Sequence, residues 1–355
     1  MVGGSVVNGI WKPVVVALVA AALALAGCGG DDEGAGTTAT GGAETAAAGS
    51  DVKVGLVTDV GQLNDRGFNQ LAFEGVKQAE AELGVEYRVI ESASDSDYVP
   101  NMESLVDEGY DLIIGVGFAQ GDAVATVAKE YPDTKFAIID VDQSSLPDAP
   151  ENVVGLLFQE EQVGYLAGVL AAKVAQDEGA STISSVGGMK EPPVDRFIAG
   201  YQAGAKATVP EITVLNGYSQ DWDDVAKCKE VALDQIARGS RIVFQVAGGC
   251  GLGALDAAKE EGVHGIGVDA DQSFLGPHVL TSAMKRVDAA VFLTIKDVVD
   301  GTWEGGRNAT YGLEQDGVAL GETSDAVGDD AMQAVEDARE KITTGEIDDI
   351  PTTVS

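Results

Sequence analysis

What most constrains this chain is an alternation. From residue 53 onward, short apolar runs rich in Val, Ile and Leu alternate with longer stretches of helical spacing. The runs fall at 53–59, 86–90, 112–116, 135–139, 153–158, 182–186, 213–218, 241–247, 264–268 and 279–283. Between them, 68–83 sets Leu71, Phe73, Val76 and Ala79 at helical spacing, and 161–175, 223–237 and 288–299 read as helices too. Continuously apolar strands imply sheets covered on both faces, hence a doubly wound parallel α/β architecture. About ten strands fit two open sheets better than one, so two lobes with a cleft are expected. Asp59, Gly117, Asp140, Gly187, Gly248, Asp269 and Asp271 stand at carboxyl ends of these runs, the edge where open α/β sheets bind ligands.

The first residues follow another logic. Lys12 is the only charge ahead of an apolar stretch at 14–26, which closes on Leu25-Ala26-Gly27-Cys28. That layout is a signal peptide over 1–27 with a lipobox, predicting cleavage before Cys28 and lipid on its thiol. The stretch is too short for a spanning helix, which needs roughly 20 apolar residues. Residues 28–51 are mostly Gly, Ala, Thr and acidic side chains, so they bury too little surface to fold and read as a flexible tether. The expected location is the cell membrane, lipid-anchored and facing outside the cytoplasm.

Charge narrows the partners. With 58 acidic against 22 basic residues and a net charge of −36, the chain suits neither nucleic acid nor anionic lipid. The scattered acids read as a solvated exterior. Cys228 and Cys250, in an oxidising exported setting, form a candidate disulfide. His264 and His278 lack zinc-type spacing, so no metal and no cofactor is expected.

Particular segments carry a resemblance. Gly55-Leu56-Val57-Thr58-Asp59-Val60-Gly61 followed by Asn64-Asp65-Arg66-Gly67-Phe68-Asn69-Gln70 resembles the opening signature of the basic membrane protein family, nucleoside-binding lipoproteins of ABC transporters. The likeness continues through 117–123, 136–140, 165–168, 246–251, 267–272 and 282–285, in the family's order. It implies the type I periplasmic-binding-protein fold, two Rossmann-like lobes joined by a three-crossover hinge. The lobes are expected over 52–158 plus 283–302 and over 159–282 plus 303–351.

The resemblance also assigns roles. Phe68 stacks on a base, Asn69 hydrogen-bonds, and Asp122 faces the base edge. Trp222 is the aromatic of the second lobe, Gly249 makes a backbone contact, and Asp269 with Lys285 binds the ribose. Asn64 and Asp65 divide between ligand contact and capping the helix that follows. Phe68 as a core residue, Trp222 as a lid, Asp122 as a helix-dipole acid and Asp269 with Lys285 as a structural ion pair are the plainer alternatives. Gly67, Trp222 and Cys250 depart from the family's usual residues.

Gly249-Cys250-Gly251-Leu252-Gly253-Ala254 also resembles a dinucleotide-binding turn, but an exported protein lacks an obvious nicotinamide supply. There is no Gly-x-Ser-x-Gly and no His-Glu-x-x-His, so no enzyme is expected. The reading is a monomeric nucleoside-binding protein, purine favoured, that serves an ABC-transporter permease. The alternatives are the same fold binding a sugar or furanose-type signal, or a surface receptor or adhesin acting through a protein partner.

Overall fold

Two six-stranded sheets organise the computed structural model, which describes residues 50–354. The leader, Cys28 and nearly all of the tether lie outside the described residues. The first sheet draws on β1 (Lys53–Val57), β2 (Glu86–Ile90), β3 (Leu112–Gly115), β4 (Lys135–Ile139) and β5 (Val153–Phe158). Helices α1 (Phe68–Leu83), α2 (Tyr98–Asp107) and α3 (Gly121–Glu130) connect the first four of these strands. The sequences LIIG of β3 and VVGLLF of β5 are almost wholly buried because helices cover both faces, whereas EYRVI of β2 is half polar and forms an edge. Each Val, Leu or Ile so buried contributes about 1.5–3 kcal/mol.

The second lobe repeats the plan. Helix α4 (Glu160–Asp177) leads into β6 (Thr182–Gly187), α5 (Pro192–Thr208), β7 (Thr213–Tyr218), α6 (Val225–Ala237), β8 (Ile242–Val246), α7 (Gly251–Glu260), β9 (His264–Asp269) and β10 (Val279–Lys285). The rest is α8 (Val287–Asp300), β11 (Arg307–Tyr311), β12 (Val318–Leu320) and α9 (Asp329–Thr343). The sheets run β2-β1-β3-β4-β5-β11 and β7-β6-β8-β9-β10-β12. The strand pairs are parallel except β10 with β12, so each lobe is doubly wound with its order reversing between its first and third strands.

The chain passes between lobes three times, at Gln159, at Arg286 and over 312–317. These crossovers are stitched together: Gln159 N donates to Tyr311 O at 3.0 Å and Arg286 N to Gly317 O at 2.9 Å. The lobe boundaries expected from sequence shift accordingly. Strand β10 stays in the second sheet through Lys285 because it pairs along its length with β9, so the handover comes at 286 rather than 283. Strand β11 joins β5 in the first sheet, so residues 303–311 belong with the first lobe. Among the described residues no helix is long and apolar enough to cross a membrane.

Helices α4 and α5 cross at backbone contact. A Cβ on Gly168 would lie 2.1 Å from Tyr201 O, and one on Gly204 2.0 Å from Tyr165 O. This close approach holds Glu160 on one helix beside Phe197 on the other, which lines the cleft between the lobes.

Candidate functional site

The carboxyl ends of the two sheets border a cleft of about 630 Å3, its mouth included. On the first lobe α1 begins at Phe68 because Asp65 satisfies its free amides. The Asp65 carboxylate accepts from Gly67 N at 2.9 Å, Asn69 N at 2.8 Å and Gln70 N at 3.2 Å. Burial raises its pKa, and those N–H bonds oppose the rise. Asn69 Oδ1 accepts from Asp59 N at 3.1 Å while its Nδ2 donates to Asp65 at 3.3 Å, leaving one N–H without a partner among the described residues. Asp59 accepts from Tyr98 OH at 2.6 Å, and burial pushes its pKa up. Gly117, at φ +109°, passes so near that a Cβ would sit 2.5 Å from the Asp59 carboxylate.

On the second lobe the loop after β7 presents Trp222. Asp221 Oδ1 accepts from Asp223 N and Asp224 N, and Lys227 adds an ion pair at 2.7 Å. Together these hold the Asp221 carboxyl down to about 2. The Trp222 ring lies against Gly188, where a Cβ would come within 2.3 Å of it, and Trp222 O accepts from Cys250 N at 2.7 Å. Cys228 and Cys250 are joined with Cα atoms 5.6 Å apart, tying α6 to the turn that carries Gly249.

Lys285 is the charged centre. Its ammonium, 1% exposed as a residue, lies 2.6 and 2.7 Å from the two Asp140 oxygens and 2.9 Å from Glu160. Arg196 approaches Glu160 from behind at 3.5 Å. Phe68 and Phe158 stand over the ammonium with ring centroids 5.1 and 4.9 Å away. Burial works against the charge, but Asp140, Glu160 and Asp269 outweigh it and push the ammonium above its usual range. Glu160, wholly buried, is raised by burial, with Lys285 opposing. Asp269 is pushed up to about 7, mainly by burial, with Lys285 pulling the other way.

Of the residues singled out in the sequence, Asp65, Phe68, Asn69, Trp222, Gly249, Asp269 and Lys285 border this one cleft. Asp122 and Asn64 do not. Asp122 is exposed on the first turn of α3, because Gly121, Ala123 and Val124 turn inward and rotate it to solvent. There it suits the helix dipole, the plainer alternative. Asn64 is exposed and borders an outer groove with Gln70 and Glu74 instead. The plainer alternative of an ion pair between Asp269 and Lys285 is not formed: Lys285 pairs with Asp140 and Glu160 instead. Asp140 stood at a strand end in the sequence, a usable signal, whereas Glu160 and Glu191 had none to separate them from the other acids.

The lobes touch at the mouth. Gln272 Nε2 donates to Arg66 O at 3.3 Å, and the Arg66 guanidinium lies 5.7 Å from the Phe274 ring centre.

Comparison with known proteins agrees with this architecture. The family of PnrA-like ABC transporter substrate-binding proteins matches residues 52–352. The ABC transporter nucleoside-binding protein BmpA of Lactococcus lactis is 36% identical, over 95% of this chain and 97% of its own length. An uncharacterized lipoprotein of Pyrococcus abyssi is 35% identical over 85% of this chain and 80% of its own. A crystal structure of a solute-binding protein from Aeropyrum pernix superposes with a TM-score of 0.76 at 29% identity, covering 83% of this chain and 92% of that one. The two-lobed frame, the cleft at both strand-order reversals and these matches together make the chain a member of the PnrA-like family of ABC transporter substrate-binding proteins, which bind solutes rather than transform them.

Proposed function

We propose that this protein captures a nucleoside, purine favoured, between its lobes and delivers it to an ABC permease while a lipid on Cys28 holds it at the outer face of the cell membrane. The observation that carries this is the pairing of Phe68 from one lobe and Trp222 from the other on a single cleft that also holds Asp269. A flat base fits between rings, and ribose hydroxyls fit a carboxylate acceptor. The name of the Lactococcus lactis relative supports the ligand class, and that of the Pyrococcus relative supports the tether. A ligand contacting both lobes binds the closed form better than the open one, and that difference is what shifts the hinge equilibrium.

Mass spectrometry of ligand released from natively purified protein tests the ligand class: a nucleoside is expected, and a free sugar overturns the reading. Cys28→Ser tests the tether. It is expected to release the protein into the medium or leave an unprocessed precursor, and a processed, membrane-held variant contradicts it.

A further inference from the structure

The cleft holds two carboxylates that have no hydrogen-bonding partner among the described residues, Asp269 and Glu191. Their settings differ. The charges acting on Asp269 are Lys285, Asp65, Asp140 and Glu160, whereas those acting on Glu191 are Asp59, Asp140 and Asp95. Both line the cleft, Asp269 from the end of β9 and Glu191 from the start of α5. Glu191 is also held in place. It is the N-cap residue of α5, in an extended backbone ahead of Pro192 and Pro193, whose rings restrict the turn. The neighbouring Lys190 gives no relief, because its ammonium pairs with Asp195 at 2.9 Å.

A half-buried carboxylate without a hydrogen-bonding partner has unsatisfied acceptors and a penalty for its charge. Burial raises its pKa to about 7, and Asp59 and Asp140 add to the rise. What such a group lacks is a pair of donors. An ionised carboxylate accepts at two oxygens and donates nothing. Among the bases, guanine offers two adjacent N–H donors, at N1 and the 2-amino group. Hypoxanthine keeps only the first, and adenine sets a donor beside an acceptor that faces a carboxylate lone pair.

We propose that Glu191 is the residue that selects among bases, taking the two adjacent N–H donors of a guanine-type edge and disfavouring adenine. This rests on the nucleoside reading above and deepens it. Asp269 then serves the sugar and Glu191 the base.

Calorimetric titration of the purified full chain with guanosine, inosine and adenosine tests it. Guanosine is expected to bind tighter than adenosine by about 5- to 150-fold, the range of one bidentate base contact, with inosine between. Glu191→Gln, similar in shape but carrying one donor and one acceptor, is expected to shrink that ratio at least tenfold or invert it. Glu191→Ala is expected to bring it near one. Asp269→Ala is expected to weaken all three nucleosides alike and leave the ratio as it was. Adenosine binding the unaltered chain as tightly as guanosine, or an unchanged ratio in Glu191→Gln, overturns the assignment of Glu191 and leaves the nucleoside reading standing. Folded protein that binds none of the three overturns both.

Discussion

Asp140 and Asp269 occupy equivalent places in the two lobes. Asp140 follows the last residue of β4, Asp269 ends β9, and each is in the left-handed region, at φ +71° and +61°. Both strands are fourth in their lobe's sequence order. Aspartate tolerates this conformation better than most residues, and here it swings both carboxylates into the cleft. Of these two, Lys285 closes on Asp140, at 2.6 Å. The symmetry is thus broken by one cation: Asp140 orders the lysine, and the Asp269 carboxylate is left without a hydrogen-bonding partner among the described residues.

Asp269→Asn separates these roles. Asparagine keeps the backbone conformation but loses a charged acceptor, so nucleoside affinity is expected to fall about tenfold or more, the range for a lost charge-assisted hydrogen bond. The ligand-free protein is expected to melt no lower, since a costly buried carboxyl is gone. Calorimetry and thermal melting of the same sample check both.

Lys285→Met removes the cation from between Asp140 and Glu160. Asp140 is left uncompensated and Glu160 keeps only Arg196, at 3.5 Å, and breaking such a buried pair destabilises by about 3–5 kcal/mol. Adding Glu160→Gln to the variant is expected to restore part of the loss. Denaturant unfolding of the single and double variants reads this; a double variant no more stable than Lys285→Met contradicts it.

Stability is expected to depend on pH through Asp269 and Glu191, both raised to about 7 from ordinary values of 3.8 and 4.5. Between those limits the native state holds protons that the unfolded chain has released, so its advantage declines as pH rises. The ligand-free protein should therefore melt higher at pH 5 than at pH 8. Ligand donors favour the ionised carboxylates, so affinity should move the opposite way and rise with pH, with protons released on binding. Melting curves and titrations in buffers of different ionisation enthalpy check the two signs.

Trp222→Ala is the cleaner test of stacking, because Phe68 also stands over the Lys285 ammonium. Base stacking on an aromatic is worth about 1–3 kcal/mol, so nucleoside binding should weaken by about 5- to 150-fold. Free ribose should be bound as before. Unchanged nucleoside affinity in titrations of this variant speaks against a sandwiched base.

Cys228 and Cys250 are 22 residues apart in sequence. Closing a loop of that size is worth about 3 kcal/mol in the chain-entropy account. The Cys228→Ala and Cys250→Ala double variant should melt lower. Mass spectrometry of the denatured, unreduced chain after alkylation should find neither residue modified.

Local pattern carried much of this protein. The order of strands and helices, and the placing of Asp59, Gly117, Gly187 and Gly248 at strand ends, follow from runs of neighbouring residues, which periodicity reports directly, whereas the two aromatics came from the family resemblance and the reversal points from strand pairing. Strands β11, RNATY, and β12, VAL, escaped periodicity because one is mostly polar and the other three residues long, so pairing with β5 and β10 makes them strands. Asp122 and Asn64 carried the right chemistry at positions whose helix and loop turn them to solvent. Lys285 and Asp140 are 145 residues apart, and Glu191 lines the same cleft as Asp59 from the other lobe. Sequence alone determined two doubly wound lobes with an acid-edged cleft. Only the tertiary structure decided which acids hold buried Lys285 and which are left without a partner among the described residues, because such partnerships depend on how separate segments pack and leave no local periodicity to read.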